Sequence, residues 1–411
     1  MFMQTLLELG YTSSLADPDV YLRRNTKPDG TEYYELLLVY VDDTLCVSHD
    51  PMATMNKIGE VYRLKEGSLG PPTRYLGAKV AKYQCDDGSE HWSLSARDYV
   101  KAAVKNLETV LASEGQTLRG RGLRPMKETY RPEIDNTPEL DDELATRYQH
   151  LIGVLRWAVE LGRIDIYIEV AMLSAHNALP RHGHLQASYE IFTYLKKHEN
   201  STLVLDHYYM DLDEVKLFPE DPYLKECYPD AVEEVPPNAL EPLGKPIEIT
   251  CYVDADHAGN LVNRRSQTGI LIFCNRAPII WYSKRQNTVE TSTFGSEFVA
   301  ARTATEMIQG LRYKLRMFGV PVSGFARVFI DNQSVVTNST QAHSTLQKKH
   351  CSICYHRVRE AIASDMMRVA KIHTTKNLAD IFTKPLPVPT RKQLLQQILF
   401  LGTLHGLHDL I

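Results

Sequence analysis

Read from the N-terminus, the pattern of apolar and polar positions first predicts a β-hairpin over residues 32–48, where two β-favouring runs meet at an Asp42-Asp43 step. A helix is expected over 52–64, a strand over 74–82 and a helix over 93–111 capped by Ser95. A Gly- and Arg-containing loop follows at 119–125. Leu151, Val154, Leu155, Ala158 and Leu161 recur three and four apart, which predicts an amphipathic helix over 141–161. Further helical segments are expected at 164–179 and 185–197. After residue 246 the period changes. Strands are predicted at 247–253, 268–274 and 278–283, then a long helix at 296–317 and a strand at 326–331. A helix at 346–364, a strand at 367–373 and a short helix from 377 complete the series. Three strands, helix, strand, helix, strand, helix implies a mixed sheet flanked by helices, an α/β arrangement.

Composition narrows the class. The 411 residues are 43% hydrophobic and 24% charged, which excludes a disordered chain. The longest apolar runs, 36–41 and 270–273, fall far short of the roughly 18 residues needed to span a bilayer, so no membrane partner is expected. The first residues lack a basic region and do not read as a signal peptide, which points to an intracellular setting, cytoplasm or nucleus. Seven cysteines in such a chain are expected as reduced thiols.

The net charge of −5 conceals a split. Residues 206–256 hold 14 acidic and 3 basic side chains, whereas 264–392 hold 20 basic and 7 acidic. Seven of the 21 prolines lie in 212–246, which marks this acidic stretch as the main linker. The basic third behind it has two open readings, a solvated surface or a nucleic-acid partner.

Carboxylates stand at telling places in that last third. Asp254 is expected to end the first strand, Glu297 to lie in the first turn of the long helix, Asp331 to end the fourth strand and Asp380 to lie in the last helix. Acids at strand ends and helix starts can converge at one edge of a sheet. Their repulsion then calls for cations, and hard oxygen ligands suit Mg²⁺ or Mn²⁺. Each acid taken singly could equally be a cap or a solvated side chain; the four in this order favour a cluster.

Seven ordered motifs carry a resemblance. Tyr252-Val253-Asp254-Ala255-Asp256-His257-Ala258-Gly259, Arg264 to Gly269, Ile279 to Gln286, Ser296-Glu297-Phe298, Ile330-Asp331-Asn332-Gln333, Lys348-Lys349-His350 and Leu378-Ala379-Asp380-Ile381-Phe382-Thr383-Lys384-Pro385 resemble the ribonuclease H domain of copia-type retrotransposon polyproteins. The resemblance implies that Asp254, Glu297, Asp331 and Asp380 bind the metal ions, and that the substrate is the RNA strand of an RNA–DNA hybrid. Asp256 is expected beside the ligands or at the surface. His373 has two open readings, an aid to product release or an ordinary packed or solvated histidine. Where the family has two acids around Glu297, this chain has Phe294 and Gly295 before Ser296, leaving Glu297 alone.

The N-terminal half resembles the reverse transcriptase of the same family. Tyr40-Val41-Asp42-Asp43 is similar to its catalytic turn, which implies that Asp42 and Asp43 are polymerase metal ligands. Tyr75-Leu76-Gly77 resembles the segment that grips the primer, and Leu151-Ile152-Gly153 with Ile164-Asp165-Ile166 matches the region beyond the thumb. On this reading residues 1–125 are the end of the palm and the start of the thumb, 126–205 a helical thumb or connection, 206–246 the linker, 247–395 the nuclease and 396–411 a tail. A third polymerase aspartate and the fingers would lie upstream of Met1, so the chain alone is expected not to polymerise DNA. The missing upstream segment or an integrase are candidate partners. Tyr75, Leu76, Gly77, Lys284, Arg285 and Lys349 are the expected nucleic-acid contacts, with Arg119, Arg121, Arg124 and Lys127 as candidates in a loop that could equally be a solvated connector. Cys351 and Cys354, between His350 and His356, tempt a zinc reading, but on a helix residue 356 points away from 350 and 354. The rival function is a catalytically dead remnant that only binds nucleic acid.

Overall fold

The computed structural model describes residues 2–41, 43–85, 87–344, 346 and 351–399. It divides into two units: Met1–Leu76 with Glu233–Glu248 and Met307–Gly324, and Gly77–Val232 with Ile249–Glu306 and Phe325–Ile411.

In the first unit, helix α1 (Phe2–Glu8) precedes an antiparallel sheet of β1 (Thr12–Ser13), β2 (Val20–Thr26), β3 (Glu32–Tyr40) and β4 (Asp43–Val47), hydrogen-bonded in that order. Helix α2 (Pro51–Val61) follows; Asp50 accepts the Ala53 amide and Pro51 sits where no amide is needed. Strand β5 (Arg74–Tyr75) completes this part. Leu6, Tyr11, Tyr21, Leu37 and Ile58 form the core. Inside it Glu35 is buried against Arg23 at 2.9 Å and Thr54 Oγ1 at 2.7 Å, with the Tyr11 and Ser48 hydroxyls also donating to it. Burial alone would raise the Glu35 pKa; the donors, Ser48 and Tyr11 foremost, hold it below the usual carboxylate range. Breaking such a set leaves a buried charge without partners, at a cost of about 3–5 kcal/mol.

The second unit begins with β6 (Ala78–Gln84) and β7 (Glu90–Ser95), followed by helices α3 (Arg97–Ser113), α4 (Asp142–Glu160), α5 (Tyr167–Ser174) and α6 (His182–Lys197), and then β8 (Thr202–Leu205). β7 lies between β6 and β8, antiparallel to both. The helix expected over 93–111 therefore starts later, at Arg97. Ser95 is strand, paired with Lys79 and Thr202; its hydroxyl donates to the Ser201 carbonyl and accepts the Arg97 amide at 3.4 Å from the position before the cap. The cap residue is Ala96, with no side-chain hydrogen bond. The four helices bury Val100, Leu107, Tyr148, Leu155, Ile191 and Phe192 in one core, on the faces that the three-and-four spacing marks. Asp165 is fully buried in an ion pair with Arg163 at 2.7 Å. The acidic, Pro-rich stretch carries two short helices, α7 (Glu214–Leu217) and α8 (Pro222–Cys227).

The remaining elements are β9 (Ile249–Asp256), β10 (Gln267–Cys274), β11 (Ala277–Arg285), α9 (Thr293–Met317), β12 (Ala326–Ile330), α10 (Gln333–Thr340), α11 (Ser352–Ala363), β13 (Met367–Lys371), a 3₁₀ turn (Leu378–Phe382) and α12 (Val388–Leu395). The sheet order is β11-β10-β9-β12-β13. β10 is antiparallel to β9 and β11, whereas β9, β12 and β13 are parallel. This mixed sheet flanked by helices is the α/β arrangement expected from the pattern. Tyr252, Phe273, Phe329, Leu378 and Phe382 anchor its core, and Arg391 on α12 reaches Glu169 on α5 in a buried pair at 2.9 Å. Among the described residues no helix is long and apolar enough to cross a membrane.

Candidate active site

Sheet register brings two of the acids together. Ile330 on β12 pairs with Val253 on β9, so Asp331 and Asp254, one residue further along parallel strands, emerge side by side. Asp254 lies within β9 rather than at its end, and Asp331 directly follows β12. Glu297 comes from the fifth residue of α9, a start anchored by Gln286, whose amide donates to the Ser296 carbonyl at 2.9 Å and to Thr268 Oγ1 at 3.0 Å. Carboxylate oxygens of Asp254, Glu297 and Asp331 lie within 4.8 Å of one another.

Asp380 arrives on the 3₁₀ turn, which a single glycine admits. Gly269 on β10 pairs with Asp254, and a Cβ there would stand 2.7 Å from the Ala379 carbonyl and from Thr383 Cγ2. Only a residue without a side chain lets the turn lie so close across the sheet. Asn377, fully buried, donates to the Val253 carbonyl at 2.9 Å and accepts the Ala379 amide at 3.1 Å, pinning the turn to β9. Thr383 then donates to Asp254 Oδ2 at 2.6 Å, and Lys384 Nζ stands 3.6 Å from Asp380 Oδ1.

The acids are buried: Asp254 is 3% exposed, Glu297 5% and Asp380 5%. Burial and then the neighbouring Asp254 carboxylate raise Asp380 to about 8. Glu297 is pushed well above its ordinary value by burial and by Asp254, Asp331 and Asp380. Asp331 is raised for the same two reasons, burial and Asp254. Glu297 Oε2 and Asp380 Oδ1 are buried without a hydrogen-bond partner. A buried Glu297 oxygen without a hydrogen-bond partner, and an Asp380 oxygen met only by the Lys384 charge, fit a divalent cation, and an all-oxygen donor set is of the hard kind that Mg²⁺ and Mn²⁺ take.

Asp256 lies beside this cluster. It accepts the Gln267 amide and is raised to about 6, chiefly by burial. It lines a cleft of about 590 Å³ together with Tyr167, Tyr282, Thr383 and the basic side chains Arg131, Arg156, Arg265, Lys284, Arg285 and Lys384. Lys284 and Arg285 were expected contacts; the other four basic residues come from segments whose proximity no local pattern reveals. His373 is exposed at the end of β13, with Nδ1 2.8 Å from Thr375 Oγ1.

In the first unit, Tyr40 pairs with Asp43 across a two-residue hairpin loop. Val41 in that loop has φ 52 and is 84% exposed. A β-branched residue at positive φ is a strained choice for a hairpin turn. Asp43 is exposed, and Asp42 lies outside the described residues, as do Lys349 and His350. Tyr75 is half-buried, its pKa raised by burial and by Asp43; Leu76 and Gly77 follow at φ 50 and 91. Cys351 is buried and Cys354 half-buried, and neither belongs to a potential metal-binding group of three among the described residues.

A scan against protein-family models gives no match. Over 381 residues the chain is 27% identical to the retrovirus-related Pol polyprotein from transposon TNT 1-94 of Nicotiana tabacum, covering 92% of this chain and 25% of that relative. It is 23% identical over 384 residues to the retrovirus-related Pol polyprotein from transposon RE1 of Arabidopsis thaliana, covering 93% and 22%. The chain thus spans about a quarter of the length of these curated relatives. Among solved structures, LC11-RNase H1 in complex with RNA/DNA hybrid aligns with 33% of this chain and 94% of its own at 18% identity, with a TM-score of 0.28. Over more than nine-tenths of its length, this chain is similar to a region of plant retrotransposon Pol polyproteins.

Proposed function

We propose that the acid cluster hydrolyses the RNA strand of RNA–DNA hybrids, in a ribonuclease H domain at residues 247–395 of a copia-type reverse-transcriptase region. The observation that carries this reading is the grouping of Asp254, Glu297 and Asp331 around a buried Glu297 oxygen without a hydrogen-bond partner, with Asp380 close enough to Asp254 to be raised by it, beside a cleft lined by basic side chains. Asp254, Glu297, Asp331 and Asp380 would hold Mg²⁺ or Mn²⁺. When bound, such ions activate a water and stabilise the leaving oxygen of an in-line phosphodiester displacement.

The chain's own residues do the rest. Thr383 fixes the Asp254 carboxylate, and Asn377 holds the turn that carries Asp380. Lys384 offsets part of the cluster's negative charge, because its own pKa is raised by Asp254 and Asp380 against the effect of burial. Lys284, Arg285, Arg131, Arg156 and Arg265 supply the positive field along which a hybrid backbone would lie, and Tyr282 and Tyr167 add stacking surfaces. The polymerase activity suggested by Tyr40 to Asp43 is not proposed for this chain alone. Asp43 is exposed and joins no potential metal-binding group of three among the described residues.

The test is cleavage of a labelled RNA–DNA hybrid in Mg²⁺ by the 411-residue chain, compared with Asp331→Asn. The expected result is cleavage by the first and its loss in the second. Equal activity in both, or none in either while the hybrid is still bound, would leave the non-catalytic binder as the reading.

A further inference from the structure

Well away in sequence from the acid cluster, a second group of metal-type ligands forms where β7 meets the end of β8. His91 on β7, Asp206 directly after β8 and His207 present ligand atoms that all lie within 4.8 Å of one another. His91 is buried, at 3% exposure, whereas His207 is exposed. The two imidazole rings are 5.1 Å apart between centroids.

Local hydrogen bonding determines which His91 nitrogen faces the group. Ser89 Oγ lies 2.5 Å from Asp87 Oδ1 and 2.8 Å from His91 Nε2. A carboxylate only accepts, so the single hydroxyl proton goes to Asp87 and Ser89 accepts from Nε2–H. In the neutral imidazole His91 Nδ1 is then the acceptor. It is buried, has no hydrogen-bond partner, and lies 3.7 Å from Asp206 Oδ1, which is itself an acceptor and takes the Tyr208 amide at 2.8 Å. With the ring neutral, two acceptor lone pairs face each other in a buried place, an arrangement that a proton or a metal ion between them relieves. The separation of 3.7 Å suits two ligand atoms each about 2 Å from one ion. The other Asp206 oxygen is turned to Arg276 at 3.7 Å, so that charge is directed away from the gap.

We propose that His91, Asp206 and His207 bind a zinc-class divalent cation, with His91 Nδ1 as the buried ligand oriented through Ser89 and Asp87. Two imidazoles and one carboxylate favour borderline ions such as Zn²⁺ over Mg²⁺. A histidine ligand whose other nitrogen is bonded to a fixed acceptor is the usual arrangement at such centres. The ion ties the middle strand β7 to the chain leaving β8, so its effect is on the stability of that sheet, by preferential binding to the folded state. This site is independent of the hybrid-cleaving reading.

The experiment is a zinc titration of the chelator-stripped 411-residue chain carrying Asp331→Asn, followed both by competition with a chromogenic chelator and by the thermal midpoint, in millimolar Mg²⁺. One zinc equivalent binding at micromolar concentration or tighter, with a raised midpoint, is expected. His207→Ala, a change at an exposed side chain, should weaken that equivalent at least tenfold and remove the rise. Asp206→Asn should do the same. Zinc binding unchanged by both substitutions, displacement by millimolar Mg²⁺, or no bound equivalent at micromolar zinc would each overturn the proposal.

Discussion

Two groups of carboxylates in this chain are placed in opposite ways. At the Tyr40 to Asp43 turn, Asp43 opens β4, paired with Tyr40 and exposed, next to a loop strained at Val41. The cluster in the second unit buries Asp254, Glu297 and Asp380 and raises Glu297, Asp331 and Asp380 above their ordinary values. An exposed carboxylate is solvated and needs no partner. A buried group of like charges stays folded only by holding protons, by the proximity of a cation such as Lys384, or by binding metal. The difference teaches where burial itself calls for a cation: at the cluster of the second unit, and not at the solvated Asp43 carboxylate.

The sharpest way to break that contrast is to remove one buried acid. Glu297→Gln should reduce hybrid cleavage by roughly 100-fold or more, since even residues one step removed from a metal typically account for 10–100-fold. A single-turnover assay at saturating Mg²⁺ reads this; retained cleavage would take Glu297 out of the site.

Next in size is stability against pH without divalent ions. The unfolded Asp380 ionises near 3.8, while the folded one holds its proton to about 8. Well below pH 3.8 both states are protonated and the site carries no penalty. As pH rises towards 8 the unfolded chain gains the advantage, so the stability of the metal-free protein falls. Asp380→Asn should therefore raise the metal-free thermal midpoint at pH 8, by roughly 2–4 °C for each kcal/mol of repulsion relieved, with little change at pH 4. Added Mg²⁺ should stabilise the unsubstituted chain more at pH 8 than at pH 5. Asp43→Asn should do neither.

Smaller effects are expected at the cleft. Lys284→Ala and Arg285→Ala should each weaken hybrid binding and lower the salt dependence of log K by about 1, if each meets one phosphate. Fluorescence anisotropy across a salt series measures it, and an unchanged slope would move the backbone elsewhere. Smallest of all, Asp43→Asn should leave hybrid cleavage unchanged, and the chain should incorporate no labelled nucleotide on a primed RNA template. Incorporation would show that the exposed turn is a working polymerase site.

Much of the candidate site can be read along the chain because its acids sit in short runs such as Tyr252 to Gly259 and Leu378 to Pro385. The elements carrying them also have clear periods, 2 in the strands and 3.6 in α9. What supports the acids is less legible. Gly269 matters only because the 3₁₀ turn crosses it, and Asn377 only because the Val253 carbonyl lies above it; neither fact is local. Strand β7 escapes the pattern, and its last three residues fall inside the expected helix, because polar His91 and Ser93 occupy its inward positions: alternation in hydrophobicity fails there although burial alternates over Glu90–Ser93. β8 was not anticipated, being four residues whose partner lies more than a hundred positions earlier.

The parallel pairing of β9 with β12, and the crossing of β10 by the turn that carries Asp380, give the acid cluster a place in time. Its members enter the chain in the order Asp254, Glu297, Asp331 and Asp380, and no shorter N-terminal stretch contains all four. During synthesis, a chain still attached to the ribosome with Asp380 inside the exit tunnel has β9 and β10 available to pair but an unfinished cluster. Competence to cut nucleic acid, on the proposed reading, therefore switches on only after Asp380 has emerged, well behind the strands that carry Asp254 and Asp331.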